Sequence, residues 1–406
     1  MPPQRVQREH RRYNPHSLTE DQDQDLKATH DSQESILQNG VRRLLEGLDG
    51  FDESTKALLE SIPLSTLDDI SEGDKNLWEQ VHTTYPRLFQ SKKCWGGQPP
   101  TDVALFLATM KMISESKSSS NPPYTAFCRG EIDGEVDPSI ALAQLWSPDP
   151  AMPVSLVGFN LPEILPKTIF RAPEEMSLYI EPFEEGNQQL LVTPTYSKTD
   201  LHIDPGEGLS LSLGSEKLCL LFPGTKHNLD MLQKAEGQKE KLARIGRYLE
   251  GGLITNMTSS HAIHIPLGSI HSVLTTNGGF LITIDFIAPT SAKSYSSLLS
   301  TGLDRVDGRR YQNVYFDRFI SSIELALDNN RVLLGIDSWV KSSDRIEEWA
   351  GGHPTWSRKA TKMWNRFLKS PESKNILCPC GEPGQSQFFQ EHFKCHYIFE
   401  RLDRHR

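Results

Sequence analysis

The feature that most constrains the fold is a change of pattern between about residues 155 and 290. Short apolar runs of strand length, separated by glycine and proline, occur at 189–193, 209–213, 218–222, 262–265 and 280–287. A single amphipathic segment, 228–249, interrupts them and ends at Gly251 and Gly252, so we predict one inserted helix. A run of strands with one helix inserted predicts a β-barrel or a β-sandwich.

The turn near the end of this region is predicted to be a β-hairpin. Asn277, Gly278 and Gly279 lie between the apolar runs 272–276 and 280–287. Asparagine and glycine tolerate the positive φ angles that tight hairpin turns require.

The segments on either side are predicted to be mainly helical, which makes the fold class α+β. Residues 1–35 are polar and predicted to be a flexible tail. Residues 36–154 form an N-terminal helical region, with a helix at 102–114 and a serine- and proline-rich linker at 116–123. Residues 291–375 form a C-terminal helical region. Its tryptophans are predicted to pack in the core: Trp339, Trp349, Trp356 and Trp364.

Composition and charge exclude some classes of protein. The 406 residues carry a formal net charge of −10, which argues against nucleic-acid binding through the whole surface. The arginines of the N-terminal tail are the one local basic cluster: Arg5, Arg8, Arg11 and Arg12. The six cysteines do not form a disulfide framework, and no apolar run is long enough to span a membrane. These features predict an intracellular protein of the nucleus or cytoplasm without a membrane partner.

A candidate metal site lies in the β-rich region. His202 and Asp204 are two residues apart, so in a strand their side chains point to the same face. His271 follows about 70 residues later, after an apolar strand and a Pro-Leu-Gly corner. Two histidines and one carboxylate on one face, with coordination positions left open, form the triad that suits non-haem Fe(II).

Lys217 is a cation within an apolar run that begins after Gly214. Burying a lysine is costly unless it meets an anion, so we expect Lys217 to bind an anionic ligand. The alternative is that its side chain extends outward to solvent along an alternating strand.

The segment from Thr199 to Pro223 and the later Ile-Pro-Leu-Gly-Ser-Ile-His sequence that ends at His271 resemble the JmjC family of oxygenases. The resemblance covers about residues 155–290, and the inserted helix is similar to that of a group of JmjC-like proteins from filamentous fungi. It implies a double-stranded β-helix of the jelly-roll or cupin type, with Fe(II) on His202, Asp204 and His271. It further implies that the cosubstrate 2-oxoglutarate is held through its distal carboxylate by Lys217 and Thr199.

The chain departs from the family pattern in two places. Ile270 stands where the family often has an aromatic residue, and Thr283 and Asp285 lie on the late strand where Asn or Thr is common. Asp285 would repel the cosubstrate, so we expect it to point away from it or to contact the substrate. Three other histidines, His227, His261 and His264, do not follow the Pro/Gly corner and are not predicted to be ligands.

A second cluster lies at 376–406, predicted to be a Cys/His zinc-binding tail. Its members are Cys378, Cys380, His392, Cys395 and His396. Two close thiols followed by His-x3-His are typical of structural zinc modules, although Cys-x-Cys is tighter than the usual spacing. A terminal helix with incidental cysteines and histidines is the alternative.

The sequence therefore predicts an Fe(II)- and 2-oxoglutarate-dependent oxygenase, a hydroxylase or an N-demethylase. Two other functions are compatible with the same residues. One is a catalytically inactive, cupin-like binding scaffold, and the other is a histone demethylase directed to chromatin, although no reader domain accompanies the barrel. The sequence does not identify the protein or small molecule that serves as substrate.

Overall fold

The computed structural model describes residues 40–45, 48, 53–116, 122–128, 131–166, 170–178, 184–306, 308–352 and 354–369. These residues form a mixed α+β structure with two large sheets. The five-stranded sheet has the order β1-β10-β9-β12-β7, and the eight-stranded sheet has the order β2-β11-β8-β13-β6-β5-β3-β4. All pairings are antiparallel except that of β1 with β10.

The strands have lengths from two to ten residues. In chain order they are β1 Leu64–Thr66, β2 Arg87–Gln90, β3 Thr125–Cys128, β4 Glu131–Ile132, β5 Val154–Asn160, β6 Glu184–Thr193, β7 Lys198–Ile203, β8 Glu207–Leu213, β9 Glu216–Phe222, β10 Gly252–Met257, β11 His261–Ile265, β12 Ile270–Asn277 and β13 Gly279–Ile287. The five apolar runs predicted to be strands all lie within these elements.

Helices precede, interrupt and follow the strands. They are α1 Glu53–Glu60, α2 Glu72–Val81, α3 Asp102–Ser116, α4 Ser139–Gln144, α5 Leu161–Ile164, α6 Lys226–Lys234, α7 Lys241–Ile245, α8 Ser291–Thr301, α9 Gly308–Asp328, α10 Val332–Lys341, α11 Ser343–Gly352 and α12 Pro354–Lys369. A further helical segment occupies 40–45, and short 3₁₀ turns lie at Ser91–Cys94, Glu174–Leu178, Gly246–Tyr248 and Leu303–Arg305.

Strands β6 to β13 carry the chain back and forth between the two sheets. Strands β6, β13, β8 and β11 are neighbours in the larger sheet, and β7, β12, β9 and β10 are neighbours in the smaller one. From β6 to β13, consecutive strands therefore belong to different sheets, except for β9 and β10, which lie in the same sheet. The sheets pack against each other through an apolar cluster with side chains from both, including Cys219 and Leu221 of β9 and Ile263 and Ile265 of β11.

Helices cover the outer faces of both sheets. Ile282 of β13 packs in one buried cluster with Leu105 of α3. Leu220 of β9 packs in another with Tyr295 of α8 and Phe319 of α9. Because the outer faces supply most of the apolar burial, the inner faces can carry polar residues without exposing the core.

The flanking regions agree with the sequence in part. Helix α3 confirms the helix predicted at 102–114. Trp339 and Trp349 are buried in the helical core, as predicted. The stretch 36–154 also contributes β1 to β4, so helices are not its only elements.

The insertion between β9 and β10 is not the single helix predicted for 228–249. It consists of α6, α7 and the turn Gly246–Tyr248. The helical path is broken between them at Gly237, with a φ of 72°, and at Glu240, with a φ of 57°. Both residues adopt the left-handed conformation, which ends a right-handed helix.

A residue of β7 starts the second helix of the insertion. The carboxylate of Asp200 accepts hydrogen bonds from the backbone N of Lys241 at 2.6 Å and from that of Leu242 at 2.8 Å. These are backbone donors of the first turn of α7, which have no partner within the helix. The insertion is therefore attached to the strand that also carries His202.

The hairpin predicted at 277–279 is wrong, although the chain does turn tightly there. Strand β12 pairs with β7 and β9, whereas β13 pairs with β6 and β8, so the turn connects the two sheets. Neither Gly278 nor Gly279 has a positive φ. A Cβ atom on Gly278 would instead collide with the carbonyl O of Leu145, and one on Gly279 with that of Gly214. Glycine is needed at this corner because neighbouring backbone approaches closely.

Three further predictions lie wholly or partly outside the described residues: the tail at 1–35, the zinc cluster at 376–406 and most of the linker at 116–123. The side chains of Trp356 and Trp364 are also outside the description. In the part of the chain that is described, no helix is both long and apolar enough to cross a membrane.

Candidate metal centre

His202 and His271 lie opposite each other on neighbouring antiparallel strands, β7 and β12. Their ring centroids are 4.1 Å apart. Asp204, one residue beyond the end of β7, places Oδ1 3.9 Å from Nε2 of His202 and Oδ2 3.5 Å from Nε2 of His271. One ligand atom from each residue lies within 4.8 Å of the others, which is compact enough to hold one metal ion.

Backbone carbonyls fix the orientation of both imidazoles. Nδ1 of His202 lies 2.9 Å from the carbonyl O of Asp200, and Nδ1 of His271 lies 3.2 Å from that of Ser269. Because a carbonyl oxygen only accepts, Nδ1 carries the proton in each ring and donates it. Each Nε2 therefore presents a lone pair toward Asp204, the arrangement found for metal-ligating histidines.

The protonation of His271 also suits a metal ligand. Burial and, to a smaller extent, the neighbouring His202 lower the pKa of its imidazole to about 4, although Asp204 opposes both. At neutral pH the ring is therefore uncharged, the form in which histidine binds metals.

The three residues differ in their access to solvent. The side chain of His271 is 5% exposed, whereas those of His202 and Asp204 are 40% and 47% exposed. The site is therefore closed on the β12 side and open on the side of Asp204. No other group of this composition meets the same distance condition among the described residues.

Lys217 is 1% exposed, so the alternative in which it extends to solvent is wrong. Its Nζ donates hydrogen bonds to the hydroxyl oxygens of Thr193, at 2.5 Å, and Thr275, at 3.0 Å. Burial lowers the pKa of its amine to about 7. Within the described part of the chain no carboxylate forms an ion pair with it.

Lys217 lies on the same face of the smaller sheet as the two histidines of the triad. It pairs across the strands with Thr275, and Thr275 is four residues from His271 along β12. Residues separated by an even number point to the same face of a strand, and four residues span about 13 Å. The amine and the candidate metal site therefore lie on the same face of the sheet, at different positions along β12.

A β-bulge places Thr199 on the same side of β7 as His202. His202 pairs with His271 and Thr199 pairs with Val273, so two residues of β7, Asp200 and Leu201, oppose one residue of β12, Ser272. In a regular strand, residues three apart point to opposite faces, but the bulge places Thr199 and His202 on the same face. Thr199 is exposed, and its hydroxyl lies 3.4 Å from the carbonyl O of Val273 rather than beside Lys217.

The sequence prediction omitted the two threonines that contact Lys217. Thr275 could have been found, because it lies an even number of residues after His271 on the same strand. Thr193 could not, since it reaches Lys217 from β6 of the other sheet.

The two polar residues of the late strand are both on its inner side. Thr283 accepts a hydrogen bond from Ser210 at 3.2 Å. Asp285 lies near Asp204 and Arg318: burial and the charge of Asp204 raise the pKa of its carboxyl to about 6, while Arg318 opposes them. Lys217 contacts Thr193, which pairs with Gly279 at the beginning of β13. Asp285 lies near the end of the same strand. Asp285 thus lies at the triad end, away from Lys217.

The other histidines are not part of this group. His264 is buried, and its Nε2 lies 3.0 Å from Oε2 of Glu207. His227 contacts the carbonyl O of Tyr248 at 2.8 Å, and His261 is exposed at the start of β11.

Comparisons with known proteins do not assign a family to the chain. No protein-family model matches it, and no curated protein matches it. The candidate site therefore depends on its own geometry: three potential ligand atoms within 4.8 Å of one another and a buried lysine on the same face of the sheet.

Proposed function

We propose that β6 to β13 form a double-stranded β-helix of the jelly-roll or cupin type, as the resemblance to the JmjC family implies. The order of the strands supports this proposal, because four alternate strands lie in each of two facing sheets. In such a barrel the inner face is a natural binding site, lined here by His202, His271 and Lys217.

We propose further that the protein is an Fe(II)- and 2-oxoglutarate-dependent oxygenase. His202, Asp204 and His271 would hold the metal, since two neutral imidazoles and one carboxylate are a donor set that suits Fe(II). The partly exposed side of the site would leave room for the cosubstrate and dioxygen.

The observation that carries the proposal is the buried Lys217. A fully buried amine with two neutral hydroxyl partners is costly, because no anion offsets the loss of hydration. A dicarboxylate that reached from the triad to Lys217 would supply that anion. A binding scaffold without a cosubstrate has no use for this cation.

The residues of the chain have distinct tasks in this function. The carbonyls of Asp200 and Ser269 orient the imidazoles, and Lys217 with its threonine partners binds the distal carboxylate. The apolar cluster between the sheets excludes water from that end. Bound Fe(II) would supply the redox chemistry by which 2-oxoglutarate and dioxygen give succinate, CO₂ and a hydroxylated or N-demethylated substrate.

The test is reconstitution of metal-free protein with Fe(II) and 2-oxoglutarate under anaerobic conditions. The proposal expects a saturable metal-to-ligand absorption band, and succinate formation when oxygen is admitted with candidate substrates. Metal binding without the band would favour the binding scaffold. Absence of both would refute the proposal.

A further inference from the structure

Glu207 is a buried carboxylate next to the candidate metal centre but outside it. It is 2% exposed, and it occupies the first position of β8, on the face opposite to the triad together with Leu209 and Leu211. Burying a carboxylate is costly unless its oxygens accept hydrogen bonds. Glu207 therefore requires a structural or functional reason.

The hydrogen bonds of Glu207 join three parts of the chain. Its Oε2 accepts from the backbone N of Leu267 at 3.1 Å and lies 3.0 Å from Nε2 of His264. Its Oε1 accepts from the hydroxyl of Ser291, at the start of α8, at 3.3 Å. Glu207 is also only three residues after Asp204. One side chain thus connects the segment that carries Asp204 to the corner before His271.

That corner determines the orientation of His271. The hydroxyl of Ser269 donates to the carbonyl O of Pro266 at 2.6 Å, and Gly268 adopts a φ of 77°. The carbonyl O of Ser269 accepts the Nδ1 proton of His271. A displacement of the corner at Leu267 would therefore move the acceptor that holds the imidazole.

We propose that Glu207 is a positioning residue for the metal centre: it holds the 266–269 corner so that His271 meets Asp204 and His202. The proposal rests on the proposed function only in that the triad binds a divalent metal. Residues that orient metal ligands without touching the metal typically contribute about 10- to 100-fold to metal affinity.

Two substitutions separate this role from a general contribution to folding. Glu207→Leu keeps the approximate volume and removes the acceptor for Leu267. Glu207→Gln can keep an oxygen at the position of Oε2, where it still accepts from the backbone N of Leu267 and from Nε2 of His264, while its NH₂ group faces the hydroxyl of Ser291. A matched control is Asp304→Leu, which removes a buried carboxylate that pairs with Arg345 in the C-terminal helical region and contacts no part of the corner.

The experiment is titration of metal-free protein with Co(II), followed by its visible absorption, at a temperature at which circular dichroism shows each variant to be folded. Glu207→Leu is expected to weaken Co(II) binding about tenfold or more and to change the absorption spectrum. Glu207→Gln should restore affinity to within a few-fold of wild type, and Asp304→Leu should leave it unchanged. If Glu207→Leu does not fold, Ser269→Ala is the second variant. It removes the hydrogen bond from the Ser269 hydroxyl to the carbonyl O of Pro266 in the same corner, and it should also weaken Co(II) binding.

Other outcomes separate the two proposals. If wild-type protein binds Co(II), and Glu207→Leu and Ser269→Ala bind it with the same affinity as wild type, only the role of Glu207 is refuted. Equal weakening by Asp304→Leu would also refute it, because general destabilisation would then explain the loss. A wild-type protein that binds no Co(II) refutes both this role and the metal centre.

Discussion

His202 and His271 are direct cross-strand partners, with ring centroids 4.1 Å apart on β7 and β12. This pairing sets the direction of both imidazoles, because opposite residues of an antiparallel pair point to the same side of the sheet. Asp204 only needs to follow β7 by one residue to complete the group. Any change in register between the two strands would separate the histidines by several ångströms.

Replacing His202 or Asp204 by Ala is expected to abolish metal binding and any turnover of 2-oxoglutarate. Two remaining ligands cannot hold the ion in a fixed arrangement. Metal content after reconstitution and succinate formation measure the effect. His261→Ala is the matched control, since His261 is exposed and lies outside the triad. Full activity in either ligand variant would contradict the assignment.

Lys217→Met is expected to keep iron binding and to weaken 2-oxoglutarate binding. The substitution retains much of the apolar side chain and removes the charge. A buried hydrogen bond to a charged group contributes about 1.5 to 3 kcal/mol, so affinity should fall by about tenfold to more than a hundredfold. The anaerobic absorption band of the Fe(II) protein measures the affinity.

Lys198→Met is the control for this substitution, because Lys198 is an exposed lysine at the start of β7. Its 2-oxoglutarate affinity should equal that of wild type. An unchanged affinity in Lys217→Met would mean that another group binds the distal carboxylate.

Asp200→Ala is expected to lower stability without loss of the metal site. It removes the carboxylate that caps α7, and loss of a helix cap costs about 0.5–2 kcal/mol. The backbone carbonyl that orients His202 remains. Urea denaturation should show a lower midpoint, and Co(II) affinity should be unchanged. A stability equal to wild type would show that the insertion is not held by Asp200.

The strands and the His202/Asp204 pair could be predicted from local spacing, whereas the choice of His271 depended on the resemblance to the JmjC family. Alternation along a strand predicts His202 and Asp204 on one face, and the resemblance implies His271 because it follows the Pro-Leu-Gly corner. The side of β7 on which Thr199 lies follows from a bulge, which is a property of two paired strands and leaves no signal in one of them.

The errors arose where tertiary contacts decide the local structure. The turn at Gly278 resembles a hairpin in the sequence, but its strands pair in different sheets. The break in the insertion at Glu240 coincides with the cap from Asp200, which is 40 residues earlier in the sequence. The contacts of Glu207 with His264 and Ser291 are equally remote.

The lowered pKa of Lys217 predicts a specific pH dependence of stability. Burial lowers the pKa of its amine from 10.5 in the unfolded chain to about 7 in the fold. Between these values the unfolded chain binds one more proton than the folded protein, so stability rises as pH increases. Below about pH 7 both states are protonated and this gain is absent.

In metal-free protein without cosubstrate, this residue should add a slope of about 1.4 kcal/mol per pH unit across that window. Urea denaturation of wild type and of Lys217→Met at several pH values measures the difference, since all other groups are common to both.

The affinity for 2-oxoglutarate should depend on pH in the opposite direction, falling as pH rises. The distal carboxylate requires a protonated amine, so above about pH 7 binding must take up a proton. Affinity should then fall by up to about tenfold per pH unit in wild type, whereas Lys217→Met should show no such decline. Identical pH profiles for the two proteins would show that Lys217 is not the group that meets the cosubstrate.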